Sequence, residues 1–352
     1  MTDTPTHAPQ TNDAKLGPVA RFIRDTELDT RMLGMVGALL LIWIGFHVYG
    51  ALMNGGGVFL TPRNLWNLSV QTSMTGIMAT GMVLVIITRN IDLSVGSIVG
   101  VTGMVMGLLQ VEILPQYLGL GHPAIWVVTV VAGLLAGTAI GALHGWLIAY
   151  RGIPSFIVTL GGLMSFRGAA YLVADGKTQP IADPFFLKLG GGYNGGIGTM
   201  PSWILGGLIC VVIVASMLSK RSNKARHDVP NNPLAVDGLF ALIPIIIVMG
   251  FVAVMNAYQI PGKDDAQGIP IPVLIWGVVA VFMAFLVKRT RFGRYVFAMG
   301  GNPDAAALVG IPVKRVTMLL FVLLAVLTTI AAIVAISRLN AGTNSLGNSA
   351  EL

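Results

Sequence analysis

The chain has 352 residues, of which 55% are hydrophobic and only 11% charged, with a formal net charge of +7. Soluble domains carry about 25% charged residues, so a soluble enzyme or a nucleic-acid-binding domain is excluded. The basic excess belongs instead to loops at a membrane surface.

Residues 1–31 form a polar, charged lead, too long for a cleaved signal peptide, and read as a cytoplasmic tail. Behind it, apolar runs predict nine membrane spans at about 32–53, 67–88, 95–113, 124–149, 153–173, 202–219, 238–257, 270–287 and 317–336. A run of roughly 18–25 residues crosses a hydrocarbon core about 30 Å thick at 1.5 Å per residue. The fold class is therefore an all-α polytopic membrane protein, with residues 32–352 as one transmembrane domain. With the N-terminus inside, the internal segments hold sixteen of the 22 Lys and Arg residues, a bias that favours this orientation. The lone cysteine, Cys210, lies in the sixth span; it excludes an intrachain disulfide framework and a multi-cysteine metal site.

The second and third spans are separated by "ITRNIDLSVGS", residues 87–97. Two readings of Asn90, Asp92 and Ser94 stand at this point. In one, Arg89 ends a helix, Asp92 or Ser94 caps the next, and the charges either lie at the interface or form a local Arg89–Asp92 pair. In the other, the break lines the substrate route, where irregular backbone meets water rather than lipid. Gly96 follows on the third span. There Gly96, Gly100, Gly103 and Gly107 share one helical face, as do Gly133, Gly137, Gly141 and Gly145 on the fourth. Such stripes read as helix–helix seams. On the fifth span, Arg167 must face the bundle or reach the interface. Thr159 there and His144 on the fourth span read first as packing residues. The longest external segment, 174–201, is rich in glycine and reads as a flexible loop; Phe185, Phe186 and Tyr193 offer aromatic area to an external partner.

The internal segment 288–316, "KRTRFGRYVFAMGGNPDAAALVGIPVKRV", carries helix signals. Asn302 suits an N-cap, Pro303 the first helical position and Asp304 the positive end of the dipole. Ala305, Ala306 and Ala307 favour helix, Gly310 terminates it and Pro312 prevents continuation. The pattern predicts a helix of about two turns lying along the membrane surface. So short a helix is marginal alone and needs packing, either on this protein or in a cytoplasmic partner.

Asp304-Ala305-Ala306, three residues, then Gly310 has the spacing of the "EAA…G" loop through which permeases of ATP-binding-cassette importers engage their ATPase subunits. "NIDLSVGS" at 90–97, "IPSFIVTLGGLMSFRGAAYLV" at 153–173 and the 288–316 loop, in that order, resemble monosaccharide permeases of the ribose/xylose type, and among them the D-xylose branch. Arg89-Asn90 stands where the family has a glycine pair. The resemblance implies a permease subunit in a bacterial inner membrane, working as two copies with a separate ATPase and a periplasmic sugar-binding protein. It implies no cofactor on this chain, with ATP and Mg on the ATPase. It places ATPase coupling on Arg291, Gly293, Asn302, Pro303, Asp304, Ala305, Ala306, Gly310 and Ile311. Asn90, Asp92, Ser94, Gly96, Thr159 and Arg167 become candidates for the pathway or gate. Family members continue beyond a Glu-Leu like Glu351-Leu352, so the resemblance also implies a C-terminally shortened chain. The competing function is an ion-driven secondary transporter, which wants buried carboxylates as coupling sites; only Asp92 approaches that role. No nucleophile–base pair, P-loop or metal-ligand spacing points to an enzyme.

Overall fold

The computed structural model describes residues 30–192, 195–227, 234–260, 265–348 and 350. Most of the expected cytoplasmic tail, Tyr193 and the Glu351-Leu352 end lie outside the described residues. Among the described residues, nine helices are long and apolar enough to cross a membrane. They fall on the nine runs anticipated from composition, with shifted ends.

The chain divides into two units, residues 1–64 and 65–352. In the first, helix α1 (Thr30–Asn54) is followed by a turn at Gly55–Gly57 and by the start of α2 (Pro62–Ile87). The turn brings the chain back on α1: the Leu60 N–H donates to His47 Nδ1 at 3.1 Å, and the Phe59 ring lies 5.9 Å from that of Phe46. A Cβ on Gly57 would come within 2.3 Å of the His47 ring, so glycine is required for this approach. His47 is thereby engaged as a local acceptor.

The second unit is organised around α13 (Val313–Leu339). This helix is apolar on every side, and the bundle buries it: Leu320, Phe321, Leu324, Ala331 and Ile336 have almost no exposed surface. Its main neighbour is α5 (Ala124–Ala149), with α3 (Val95–Leu108) beside both. The α5 glycine stripe forms the seam. A Cβ on Gly137 would fall 1.9 Å from Thr329 Oγ1, one on Gly141 2.7 Å from the Phe321 carbonyl, and one on Gly145 2.8 Å from Met318 Cα. Backbone meets backbone along three turns, the close approach that small residues permit.

The α3 stripe has a different partner. After α13 the chain turns at Asn340, in the left-handed region at φ 54°, and runs back across α3. Strand β2 (Ala341–Gly342) pairs antiparallel with β1 (Gln179–Pro180), and the following turn lies on the glycine face. A Cβ on Gly103 would meet Leu346 Cδ2 at 2.8 Å; one on Gly347 would meet the Gly96 carbonyl at 2.1 Å. The expected helix seam holds in part, since a Cβ on Gly103 would also meet Ile336 of α13 at 3.0 Å, but the same glycines also admit this irregular segment. α3 then passes through one π-helical turn (Leu109–Ile113) into the short helix α4 (Leu114–Leu118).

Helix α6 (Ser155–Val173) packs on α3. Among its described residues, the external segment beyond it holds the helix α7 (Pro184–Lys188) capped by Asp183 Oδ1. Phe186, expected as docking area, is fully buried, and its carbonyl accepts from Ser337 Oγ at 2.5 Å; Phe185 remains exposed. Bridges Gly196–Pro270 and Gly198–Gly268 tie this segment to the loop between α9 (Leu234–Asn256) and α10 (Ile271–Arg289). Helix α8 (Thr199–Arg226) continues well past its expected end at 219, because its last turns are basic and escape a hydropathy reading.

Candidate functional site

At the cytoplasmic end of α2 the chain leaves the helix through Arg89, whose φ of 62° is left-handed. The Asn90 N–H donates to the Val85 carbonyl at 3.1 Å, the 6→1 bond of a Schellman-type end. A glycine would adopt this conformation without cost, and arginine is strained in it. The Arg89 guanidinium does not reach Asp92, so the expected local pair is absent. It donates instead to the Gly301 carbonyl at 2.8 Å, 212 positions away.

Asp92 is 3% exposed. Its Oδ1 accepts from the Ser94 N–H at 2.8 Å and the Ser94 hydroxyl at 2.5 Å, an Asx turn that sets up the first turn of α3. Ser94 Oγ lies 3.5 Å from His144 Nδ1 on α5, and Ser94 and His144 are both buried. Burial pushes the Asp92 carboxyl above the ordinary carboxylate range, and the two Ser94 bonds partly oppose that rise. The break is held from the far side by α6: the Ile91 N–H donates to Ser155 Oγ at 3.2 Å, and Thr159 Oγ1 back-bonds to the Ser155 carbonyl at 2.9 Å. A Cβ on Gly162 would sit 2.5 Å from His144 Nε2, so that glycine makes room for the imidazole.

The structure thus gathers Asp92, Ser94 and Thr159 around one break, and adds His144 and Ser155. Asn90 is adjacent but spends its amide on the Thr88 carbonyl at 3.1 Å. Gly96 faces the segment after α13. Arg167 is half-buried on α6, about 12 Å of helical rise beyond Thr159, and is not part of this group.

The second candidate region is the corner after α10, where sequence reading anticipated one helix and the structure has two. Helix α11 (Arg291–Gly301) is capped by Thr290, whose Oγ1 accepts from the Gly293 N–H at 3.4 Å. It buries Gly293, Val296 and Met299 along one face. A Cβ on Gly293 would meet the Val287 carbonyl at 2.0 Å, so this glycine serves the α10–α11 corner and presents nothing outward. Arg291 is exposed. Helix α12 (Pro303–Leu308) follows at once. Asn302 Oδ1 accepts from the Asp304 and Ala305 N–H groups, both at 3.0 Å, as its N-cap role required. Gly310 ends the helix at φ 86°, and the Ile311 N–H closes on the Ala306 carbonyl at 3.1 Å. Only Ala306 of α12 is buried; Leu308 is 89% and Val309 79% exposed. A cleft of about 610 Å³ opens beside α12, lined by Tyr150, Pro303, Asp304, Ala307, Ile311 and Arg315.

The two regions touch. Besides the Arg89 bond to Gly301, Gly300 lies against the end of α2, where a Cβ would meet the Ile87 carbonyl at 2.5 Å. The break before α3 and the exposed helix α12 are therefore parts of one cytoplasmic corner.

Residues 64–351 match the family described as branched-chain amino acid transport system / permease component. The "Xylose transport system permease protein XylH" of Haemophilus influenzae is 37% identical over 296 residues, covering 84% of this chain and 74% of that protein. The protein of the same name from Escherichia coli K12 is 36% identical over 326 residues, 92% of this chain and 76% of its own length. The E. coli K12 "Ribose import permease protein RbsC" is 28% identical over 294 residues, 84% of this chain and 67% of its own. No solved structure matches the chain. With nine apolar helices among the described residues and the family match running through both candidate regions, the chain belongs to this family of multi-pass inner-membrane permeases.

Proposed function

We propose that this chain is the membrane permease subunit of an ATP-driven sugar importer, with D-xylose or a related pentose as its cargo. The agreement of the xylose and ribose permeases over most of the chain supports the sugar class. One structural observation carries the mode of energy coupling. It is a capped helix, α12, that buries a single side chain and leaves Leu308, with Val309 just beyond it, exposed beside an open cleft. An exposed apolar tip of this kind fits a socket in a partner.

The partner is an ABC ATPase, which holds ATP and Mg; this chain holds no cofactor. Asn302, Pro303, Asp304, Ala305, Ala306, Gly310 and Ile311 build the contact, with Arg291 at its exposed flank. A periplasmic sugar-binding protein docks outside, and a second copy of the permease completes the pathway. Motion of α12 reaches the break at Asn90, Asp92, Ser94 and Gly96 through the Arg89–Gly301 bond, and the Ser94–His144–Thr159 group takes part in gating; Arg167 serves the pathway from farther along α6. ATP binding to the partner thus biases a two-state bundle through a contact at its cytoplasmic corner.

The test is uptake in vesicles containing the permease, the ATPase and the binding protein, with ATP inside and all ion gradients collapsed. Labelled xylose should accumulate and should stop doing so when the ATPase is omitted. Accumulation that follows a proton or sodium gradient, without ATP, would refute the proposal.

A further inference from the structure

Helices α8 and α9 enclose a second cavity, remote from the corner just described. It measures about 320 Å³ and lies at the cytoplasmic end of α8. Its polar wall is Lys220, Arg221 and Lys224 of α8 and Asp237 of α9. Asp237 pairs with Arg221. Lys220 and Lys224 face the cavity with no acidic partner among the described residues, so its described lining sets three basic side chains against one carboxylate. Its floor is apolar, with Ile213 and Met217 on α8 and Phe240 and Pro244 on α9.

Farther along the same faces, at and beyond the bilayer centre, Ile209 and Leu205 of α8 and Ile247 and Phe251 of α9 join much of α10 in lining a separate apolar groove of about 1010 Å³. On α8 the lining passes from Lys224 and Lys220 through Met217 and Ile213 to Ile209 and Leu205 in steps of three or four residues, one helical stripe. On α9 it passes from Asp237 through Ala241 and Pro244 to Ile247 and Phe251 in the same way. From Lys220 to Ile209 the helix rises roughly 17 Å. That is close to half of a hydrocarbon core about 30 Å thick, the depth of one leaflet.

A cationic recess at the interface above an apolar floor that runs towards the bilayer centre has the chemistry of a phospholipid. We propose that the α8–α9 cleft binds an anionic phospholipid of the cytoplasmic leaflet. Its headgroup phosphate sits against Lys220, Arg221 and Lys224, and an acyl chain lies along Ile213, Ile209 and Ile247. Basic recesses between transmembrane helices on the cytoplasmic side suit such headgroups, and the apolar floor of Ile213, Met217, Phe240 and Pro244 suits the tail that a free phosphate lacks. The assignment is independent of the transported sugar and of the ATPase.

The experiment uses the purified full chain in detergent, with thermal unfolding and native mass spectrometry as readouts. Phosphatidylglycerol should raise the midpoint and remain bound, whereas phosphatidylcholine or inorganic phosphate at the same concentration should do neither. Lys220→Gln/Lys224→Gln keeps two exposed, helix-compatible side chains, and its midpoint without lipid should equal the wild type's. Its affinity for phosphatidylglycerol should fall about 30-fold, at roughly 1 kcal/mol for each basic residue near an anionic surface and 1.4 kcal/mol per tenfold change. Equal binding of the two lipids would overturn the proposal. So would a response to phosphate alone, undiminished lipid binding in the double variant, or a second copy of the chain in place of lipid when cysteines placed at Ile213 and Ile209 are crosslinked.

Discussion

Gly141 on α5 is where the α5–α13 packing can be tested most sharply. In Gly141→Ala the new methyl carbon would sit 2.7 Å from both the Ala325 Cβ and the Phe321 carbonyl, and 2.8 Å from Val322 Cα. Two of these atoms are backbone, so no side-chain rotation relieves the clash, and α5 and α13 must separate by more than half an ångström locally. Overpacking of this kind costs about 1–3 kcal/mol. Against it stands the helix-propensity gain of alanine over glycine, about 0.8–1.0 kcal/mol. The net loss should be about 1 kcal/mol, which lowers the melting temperature by roughly 2–4 °C in a protein of 150–250 residues and by less in this larger one. Gly161 on α6 provides the comparison, since nothing lies within 4 Å of its Cβ position. Gly161→Ala should therefore stabilise, by up to about 1 kcal/mol. Thermal unfolding of both variants in one detergent decides the matter: the two shifts must have opposite signs. A Gly141→Ala variant as stable as Gly161→Ala would mean that the seam is loose and the reasoning wrong.

Arg89→Ala and Arg89→Gly both lose the bond to Gly301, but only glycine removes the strain of φ 62°. Arg89→Gly should be the more stable of the two by about 1 kcal/mol in thermal unfolding. Gly310→Val, at φ 86°, and Ala306→Glu, at a buried position, should each reduce co-purification with the ATPase severalfold while leaving membrane insertion intact, as checked by pull-down from solubilised membranes. Asp92→Asn keeps an oxygen to accept both Ser94 bonds. Because burial raises the carboxyl of Asp92 in the folded state, the wild type loses stability as pH climbs from about 4, where the unfolded group ionises, towards the folded value. The variant has no such loss. Its advantage over the wild type should therefore grow as pH rises from about 4, and an advantage independent of pH would remove the buried-carboxyl account.

Much of this architecture is legible in the residues. Unbroken apolar runs mark all nine spans, because a lipid environment removes the need for alternation. Asn302, Pro303 and Gly310 mark α12, because capping is a local matter. Helix α11 was hidden by its basic residues, which read as a loop; Thr290 as cap, followed by Phe292, Val296 and Met299 at helical spacing, was the overlooked signal. Phe186 looked like surface because it lies in a glycine-rich stretch, and only its bond from Ser337 shows the segment folding inward. The partner of Arg89 could not be read at all, since a contact spanning 212 positions leaves no local trace. The destination of the α3 glycines was hidden similarly: a stripe announces that something comes close without saying what.

Helix α12 is anchored at both ends. On one side Gly300 and Gly301 meet the foot of α2 through Ile87 and Arg89; on the other, Ile311 leads within two residues into α13, the innermost helix of the bundle. A load applied to the tip at Leu308 thus divides between a peripheral strut and the central mast. Because the two are fixed to the same six-residue segment, neither can yield without the other being pulled.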